Sequence, residues 1–197
     1  MTVKQLFVAG AGLMGAGIAQ TAISCGYEVS IREVDESLVG RGVDNIKKRL
    51  ESLVQKGKLE AGKREAAINR LHPTTSLEAA GRADFVIEAI TENFDAKREL
   101  FKRLDGICRP EVILASNTSS IPITRMAAVT KRPDRFIGMH FFNPVPVMPL
   151  VEITRGRVRA VALASADIVP ISPLRSAPIR RNFALEPAAI SLVRLAQ

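Results

Sequence analysis

The sequence predicts an α/β fold: a doubly wound, mainly parallel sheet followed by an irregular C-terminal tail. Three observations carry the prediction. Short apolar runs alternate with helical segments through residue 153, with crossovers long enough for parallel pairing. Two of the runs, 83–90 and 111–115, are almost continuously apolar, as strands covered on both faces are. The first run, Leu6–Ala9, passes through a glycine-rich turn directly into a helical stretch.

That turn places Gly10, Gly12 and Gly15 at the spacing G-x-G-x-x-G. The first glycine permits a sharp turn, the second lets backbone approach a diphosphate, and the third lets helix and strand pack closely. Free N–H groups at the helix start, with the positive end of the helix dipole behind them, then face the diphosphate. The pattern points to a dinucleotide. The second strand alternates Val29 and Ile31 with polar residues and closes at Glu33, 18 residues beyond Gly15. A carboxylate there accepts hydrogen bonds from the adenosine ribose and repels a 2′-phosphate, which favours NAD over NADP. Asp35 is the alternative carboxylate, and the neighbouring Arg32 leaves NADP open.

Residues 36–58 read as one long helix with an apolar stripe through Leu38, Val43, Ile46, Leu50 and Leu53. Its basic residues, Lys47, Lys48, Arg49, Lys56 and Lys58, form either a solvated face or an anchor for a phosphate-bearing substrate. A shorter helix over 62–71 is ended by His72-Pro73, because the residue before proline is pushed out of the α region. His72 itself reads as a surface histidine. After the strand 83–90, Thr91-Glu92-Asn93 turns into a helix through Lys97, Leu100, Phe101 and Leu104. The turn sits at the carboxyl end of a strand, the edge that faces the ligand crevice in such sheets.

The strand 111–115 ends in Ser116-Asn117-Thr118-Ser119-Ser120. Ser119 or Ser120 suits a cap for a helix opening at Ile121-Pro122. Ser116 and Asn117 come too early to cap, and are expected to point into the crevice. A strand over 135–140 ends at His140 and leads through Phe141–Pro149 to a strand over 150–153.

Composition bounds the partners. A chain of 197 residues suits one full domain plus some extra, and 47% hydrophobic residues supply a core. No apolar run reaches the roughly 18 residues of a membrane span. The N-terminus runs straight into the first strand, which leaves no room for a signal peptide. Cys25 and Cys108 are isolated, read as free thiols, and lack metal-site spacing. A cytoplasmic location is expected, with no metal. Of the net charge of +8, seven arginines against two acidic residues lie from Arg155 onward, leaving +3 for residues 1–154. The tail's arginines are interleaved with prolines and aliphatics, and Phe183 is its single aromatic, so no specific nucleic-acid partner is expected.

Four segments, Gly10–Gly17, Glu88–Lys97, Leu114–Ser120 and His140–Glu152, resemble the L-3-hydroxyacyl-CoA dehydrogenase family in order and spacing. LASNTSS and HFFNPVPVMPLVE are the most specific of them. The likeness covers roughly residues 3–156, the family's N-terminal Rossmann-type domain, and implies NAD as cofactor and an acyl-CoA substrate. It implies oxidation of an L-3-hydroxyacyl-CoA to the 3-oxoacyl-CoA, in fatty-acid β-oxidation or short-chain acyl-CoA metabolism. It assigns His140 as the general base for the 3-hydroxyl proton and Glu152 as its partner, holding the ring and stabilising the imidazolium. It assigns Ser116 to the reacting oxygen, with Asn117 beside it. Glu92, Lys97 and Asn143 lie around the nicotinamide half of NAD, and Glu33 takes the adenosine ribose. Lys56 matches a coenzyme A contact, and Arg49 stands where some relatives have a serine with that role. The chemistry agrees: an alcohol must lose a proton as its hydride leaves, and a histidine suits that task. A cofactor- or CoA-binding module without turnover would carry the same site residues.

The resemblance stops at Arg155-Gly156, dividing the chain into residues 1–156 and 157–197. Relatives continue into an all-helical domain that closes over the acyl chain and forms most of their dimer interface. Residues 157–197 contain no lysine, against nine in the first 131, and Pro170, Pro173, Pro178 and Pro187 interrupt every helical candidate. Such a change at one point is what a shifted reading frame leaves. Residues 160–197 are expected to be poorly ordered or irregularly packed, and activity to be impaired.

Overall fold

The computed structural model describes residues 3–148 and 150–156, together with the backbone of Asp167–Pro170. Eight strands form one sheet: β1 (Gln5–Ala9), β2 (Glu28–Arg32), β3 (Leu71–Thr74), β4 (Phe85–Glu88), β5 (Ile113–Ser116), β6 (Phe136–Phe141), β7 (Leu150–Arg155) and β8 (Asp167–Pro170). Their spatial order is β3-β2-β1-β4-β5-β6-β7-β8. The first six are parallel; at one edge β7 pairs antiparallel with β6 and β8 antiparallel with β7. No helix among the described residues is long and apolar enough to cross a membrane.

Side-chain alternation divides the sheet between two cores. Leu6 and Val8 of β1 pack beneath helices α1 (Leu13–Ser24), α2 (Glu36–Gln55) and α3 (Ala61–Ile68). Phe7 and Ala9 face α4 (Phe94–Ile107) and α5 (Ile123–Ala127). A strand covered on both faces needs apolar residues at every position, and β1 and β4 meet that need through their interiors. Asp35 caps α2, its Oδ1 accepting from the Leu38 N–H at 2.8 Å; Asn93 caps α4, accepting from the Ala96 N–H at 2.9 Å.

Two expectations are corrected. The helix expected over 62–71 is α3, which ends at Ile68, and Leu71–Thr74 instead forms edge strand β3, paired in parallel with β2. Pro73 is tolerated there because an edge strand leaves one side of its backbone unpaired. The helix after Ser120 opens only at Ile123, with Pro122 as its cap, so neither Ser119 nor Ser120 caps it. In the tail, the described residues Asp167–Pro170 form β8 against β7. Residues 157–166 and 171–197, with the expected poor order and the shifted-frame reading, lie outside the described residues.

Candidate active site

The chain builds outward from β1 through β2 to β3, then crosses back to lay β4, β5 and β6 on the other side. That reversal leaves a crevice above the carboxyl ends of β1 and β4, the usual ligand position in such sheets. A larger groove lies at the opposite, amino-terminal edge, lined by Glu28, Ser30 and His72, away from every candidate site residue.

The glycine turn closes the floor of the crevice. Gly10 has φ +108°, and a Cβ there would stand 2.4 Å from the Ala89 carbonyl oxygen, so only glycine lets the β1 and β4 loops meet. At Gly15 a Cβ would lie 1.9 Å from the Gly10 oxygen. At Gly12 it would meet no atom within 4 Å. Helix α1 starts immediately afterwards with no side-chain cap and no acidic residue in its first turn. Open space before uncapped N–H groups fits the diphosphate of NAD. Glu33, just after β2, is held by two backbone donors: Ala11 N–H to Oε2 at 3.1 Å and Val34 N–H to Oε1 at 2.9 Å. Each oxygen keeps a second lone pair for a ribose hydroxyl. Asp35 is committed to capping α2, and Arg32 donates its Nε–H to the Thr75 carbonyl at 3.2 Å. Of the two carboxylates, Asp35 serves the helix cap and Glu33 stands beside the glycine turn.

At the far end, His140 on β6 stands opposite Glu152 on antiparallel β7. Strand pairing brings together two residues 12 apart in sequence, with Nδ1 3.3 Å from Glu152 Oε2. The other ring nitrogen, Nε2, is left for the cleft that His140 lines. That cleft, of about 340 Å³, is also lined by Met14, Glu92, Asn117, Ser119 and Asn143. Its size falls within the roughly 300–1,000 Å³ of small-molecule sites. Asn117 is fixed through its Oδ1, which accepts from the Phe141 N–H at 2.8 Å.

Two expected residues do not face the cleft. Ser116 is the last residue of β5, fully buried, and donates its hydroxyl to Glu88 Oε2 at 2.5 Å. It is still in the ladder, paired with Glu88 and Gly138, so strand alternation turns it into the core. The polar groups after β5 that do line the cleft are Asn117 and Ser119. Lys97 is also fully buried, on the inward stripe of α4 with Leu100, Phe101 and Leu104. Its Nζ lies 2.6 Å from Glu88 Oε1 and 3.0 Å from Glu92 Oε2. Lys97 thus acts on the cleft only through Glu92. Glu88, not among the site residues expected from sequence, is a fully buried carboxylate whose burial pushes its pKa up, partly offset by Lys97 and Ser116. A glutamate closing the apolar strand FVIE, nine residues before a lysine on a buried helical stripe, was the available signal.

Glu92 has the opposite environment. Partial burial pushes its carboxyl upward, but hydrogen bonds from Thr118, Lys97 and Ser120 and the Lys97 charge outweigh this and hold it at about 2. Its folded value lies below the ordinary 4.5, so its ionised form stabilises the fold fully above pH 4.5 and loses that contribution as pH falls through about 2. In urea titrations, the stability gap between wild type and Glu92→Gln is expected to be constant above pH 4.5 and to close between 4.5 and 2. A gap that widens on acidification contradicts the assignment. Arg49, half-buried on α2, and Lys56, exposed at the cap that follows the helix, lie outside this cleft.

Residues 5–166 match the family described as 3-hydroxyacyl-CoA dehydrogenase, NAD binding domain, ten residues past Gly156. The chain is 54% identical over 156 residues to a probable 3-hydroxybutyryl-CoA dehydrogenase of Bacillus subtilis, covering 79% of this chain and 54% of that protein. It is 44% identical over 160 residues to the 3-hydroxyadipyl-CoA dehydrogenase of Escherichia coli, covering 81% of this chain and 34% of that one. Its fold matches the crystal structure of an (S)-3-hydroxybutyryl-CoA dehydrogenase from Ralstonia eutropha with a TM-score of 0.78 at 47% identity, over 79% of this chain and 55% of that one. The chain thus spans about half the length of the two 3-hydroxybutyryl-CoA dehydrogenases.

Proposed function

The chain belongs to the 3-hydroxyacyl-CoA dehydrogenase family through its NAD binding domain, and from that premise we propose that it oxidises an L-3-hydroxyacyl-CoA to the 3-oxoacyl-CoA. The observation that carries the reading is the His140–Glu152 pair, set at one end of the crevice whose other end is the glycine turn and Glu33. NAD, when bound, supplies the acceptor for the hydride that leaves C3.

The protein's part is to position the alcohol and take its proton. His140 Nε2 removes the 3-hydroxyl proton, so that the C–O bond gains double-bond character as the C–H electron pair departs. Glu152 holds Nδ1 and with it the ring orientation, and its negative charge favours the imidazolium formed in that step. Asn117, anchored through Oδ1, presents its amide NH₂, and Ser119 its hydroxyl, toward the same cleft as donors for the reacting oxygen. The turn around Gly12 and the start of α1 receive the diphosphate, and Glu33 receives the adenosine ribose. Lys56 and Arg49, two helical turns apart on one side of α2, are the groups proposed to meet phosphates of coenzyme A.

The test uses the whole 197-residue chain with NAD and L-3-hydroxybutyryl-CoA, following NADH absorbance. Formation of NADH that depends on both compounds supports the reading. Binding of NAD with no turnover reduces the chain to a cofactor-binding module and overturns it.

A further inference from the structure

The crevice contains a charge imbalance that proton abstraction does not use. Lys97 is one cation shared by two carboxylates, Glu88 at 2.6 Å and Glu92 at 3.0 Å. With all three ionised, the group carries a net charge of −1. Glu88 and Lys97 have side chains 0% exposed, whereas that of Glu92 is 39% exposed and lines the cleft with His140 and Asn143. The remaining partners of Glu92 are neutral: Ser120 Oγ donates to Oε1 at 3.0 Å, and the Thr118 hydroxyl donates to the same oxygen. Hydroxyl donors fix the carboxylate without cancelling its charge. The excess negative charge is therefore displayed at the cleft wall and held in place from three sides. Glu152 is engaged differently, against Nδ1 of His140.

We propose that Glu92, positioned by the Glu88–Lys97 pair and by Thr118 and Ser120, makes the site discriminate by charge between the two redox states of the nicotinamide, favouring the cationic ring of NAD⁺ over the neutral ring of NADH. The inference rests on the proposed placement of NAD in this crevice. The two nucleotides share the adenosine, the diphosphate and both riboses, so contacts at Glu33 and the glycine turn cancel in the ratio of their dissociation constants. What survives is the interaction of the ring with its surroundings, and a fixed carboxylate acts on a charge of +1 in one state and 0 in the other. The buried pair is part of the device. Glu88 draws Lys97 inward, so the lysine restrains Glu92 without reaching the cleft and repelling the ring.

The test measures dissociation constants of NAD⁺ by calorimetry and of NADH by fluorescence on the full chain, for wild type, Glu92→Gln and Glu92→Asp. Glu92→Gln is expected to cut the preference for NAD⁺ relative to NADH by roughly three- to tenfold, the range for one charge pair at partly screened contact. Glu92→Asp, which keeps the charge, is expected to restore most of that preference. Added salt is expected to narrow the wild-type ratio and leave the Gln ratio unmoved. If both nucleotides bind and the Gln ratio equals the wild-type ratio, this inference is overturned while the NAD placement stands. If wild type binds neither nucleotide, the placement itself fails, and the inference with it.

Discussion

His140→Ala is expected to lower NADH formation from L-3-hydroxybutyryl-CoA by roughly 100- to 10,000-fold, the usual worth of a positioned general base. NAD affinity is expected to stay unchanged, because the glycine turn and Glu33 lie at the other end of the crevice. The expectation follows from geometry. Nδ1 is turned to Glu152 at 3.3 Å, so Nε2 is the only ring nitrogen that can meet a substrate hydroxyl. A small residue leaves space for water in that position, but water is far less basic than imidazole. Glu152→Gln tests the same pair from behind. It keeps a hydrogen-bonding partner for the ring while removing the charge that favours the imidazolium, so its loss should be real but smaller. Steady-state rates and NAD titrations on the three proteins check both statements. Wild-type turnover in His140→Ala removes the histidine from the mechanism.

The second large effect is a contrast between two alanine substitutions three residues apart. In Gly15→Ala the new Cβ lies 1.9 Å from the Gly10 oxygen and 2.7 Å from the Gly10 carbonyl carbon, both backbone atoms. Replacing glycine by alanine inside a helix ordinarily gains about 1 kcal/mol. Overpacking against a backbone that cannot rotate away costs about 1–3 kcal/mol or more and displaces the turn. The clash wins, so both stability and NAD affinity should fall, the affinity by roughly ten- to a hundredfold as one or two N–H contacts to the diphosphate are lost. In Gly12→Ala the Cβ meets nothing within 4 Å in the protein. Stability should hold while NAD affinity falls, because the methyl occupies the space proposed for the diphosphate. Thermal unfolding and calorimetry separate the two. Equal NAD affinity in Gly12→Ala and wild type would falsify the placement of the diphosphate.

Much of the fold was legible because its strands follow simple periods. The near-continuous apolar runs of β4 and β5 and the glycine turn after β1 announce a covered parallel sheet, and the resemblance located His140 and Glu152. What failed was local and depended on single residues. Ending β5 at Ala115 makes Ser116 the first loop residue, aimed at the crevice. Keeping it in the ladder for one more residue turns it into the core, onto Glu88. Lys97 was set beside the nicotinamide by the resemblance, yet its position three, four and seven residues before Leu100, Phe101 and Leu104 already put it on the inward stripe. Edge strand β3 is only four residues and contains Pro73, which reads as a helix stop without the neighbouring β2 to pair with it. Pairings across the sheet, such as His140 with Glu152, depend on strand order, which no local pattern in either segment encodes.

Calorimetric titration of the 197-residue chain with NAD and, separately, with NADP tests the proposed cofactor site. Glu33 is clamped by the Ala11 and Val34 N–H groups, so its charge disfavours a 2′-phosphate at the proposed ribose position, and Arg32 is engaged with the Thr75 carbonyl. A single site for NAD is expected, with NADP bound more weakly by roughly tenfold or more. NADP binding as tight as NAD, or no binding of either, contradicts that expectation.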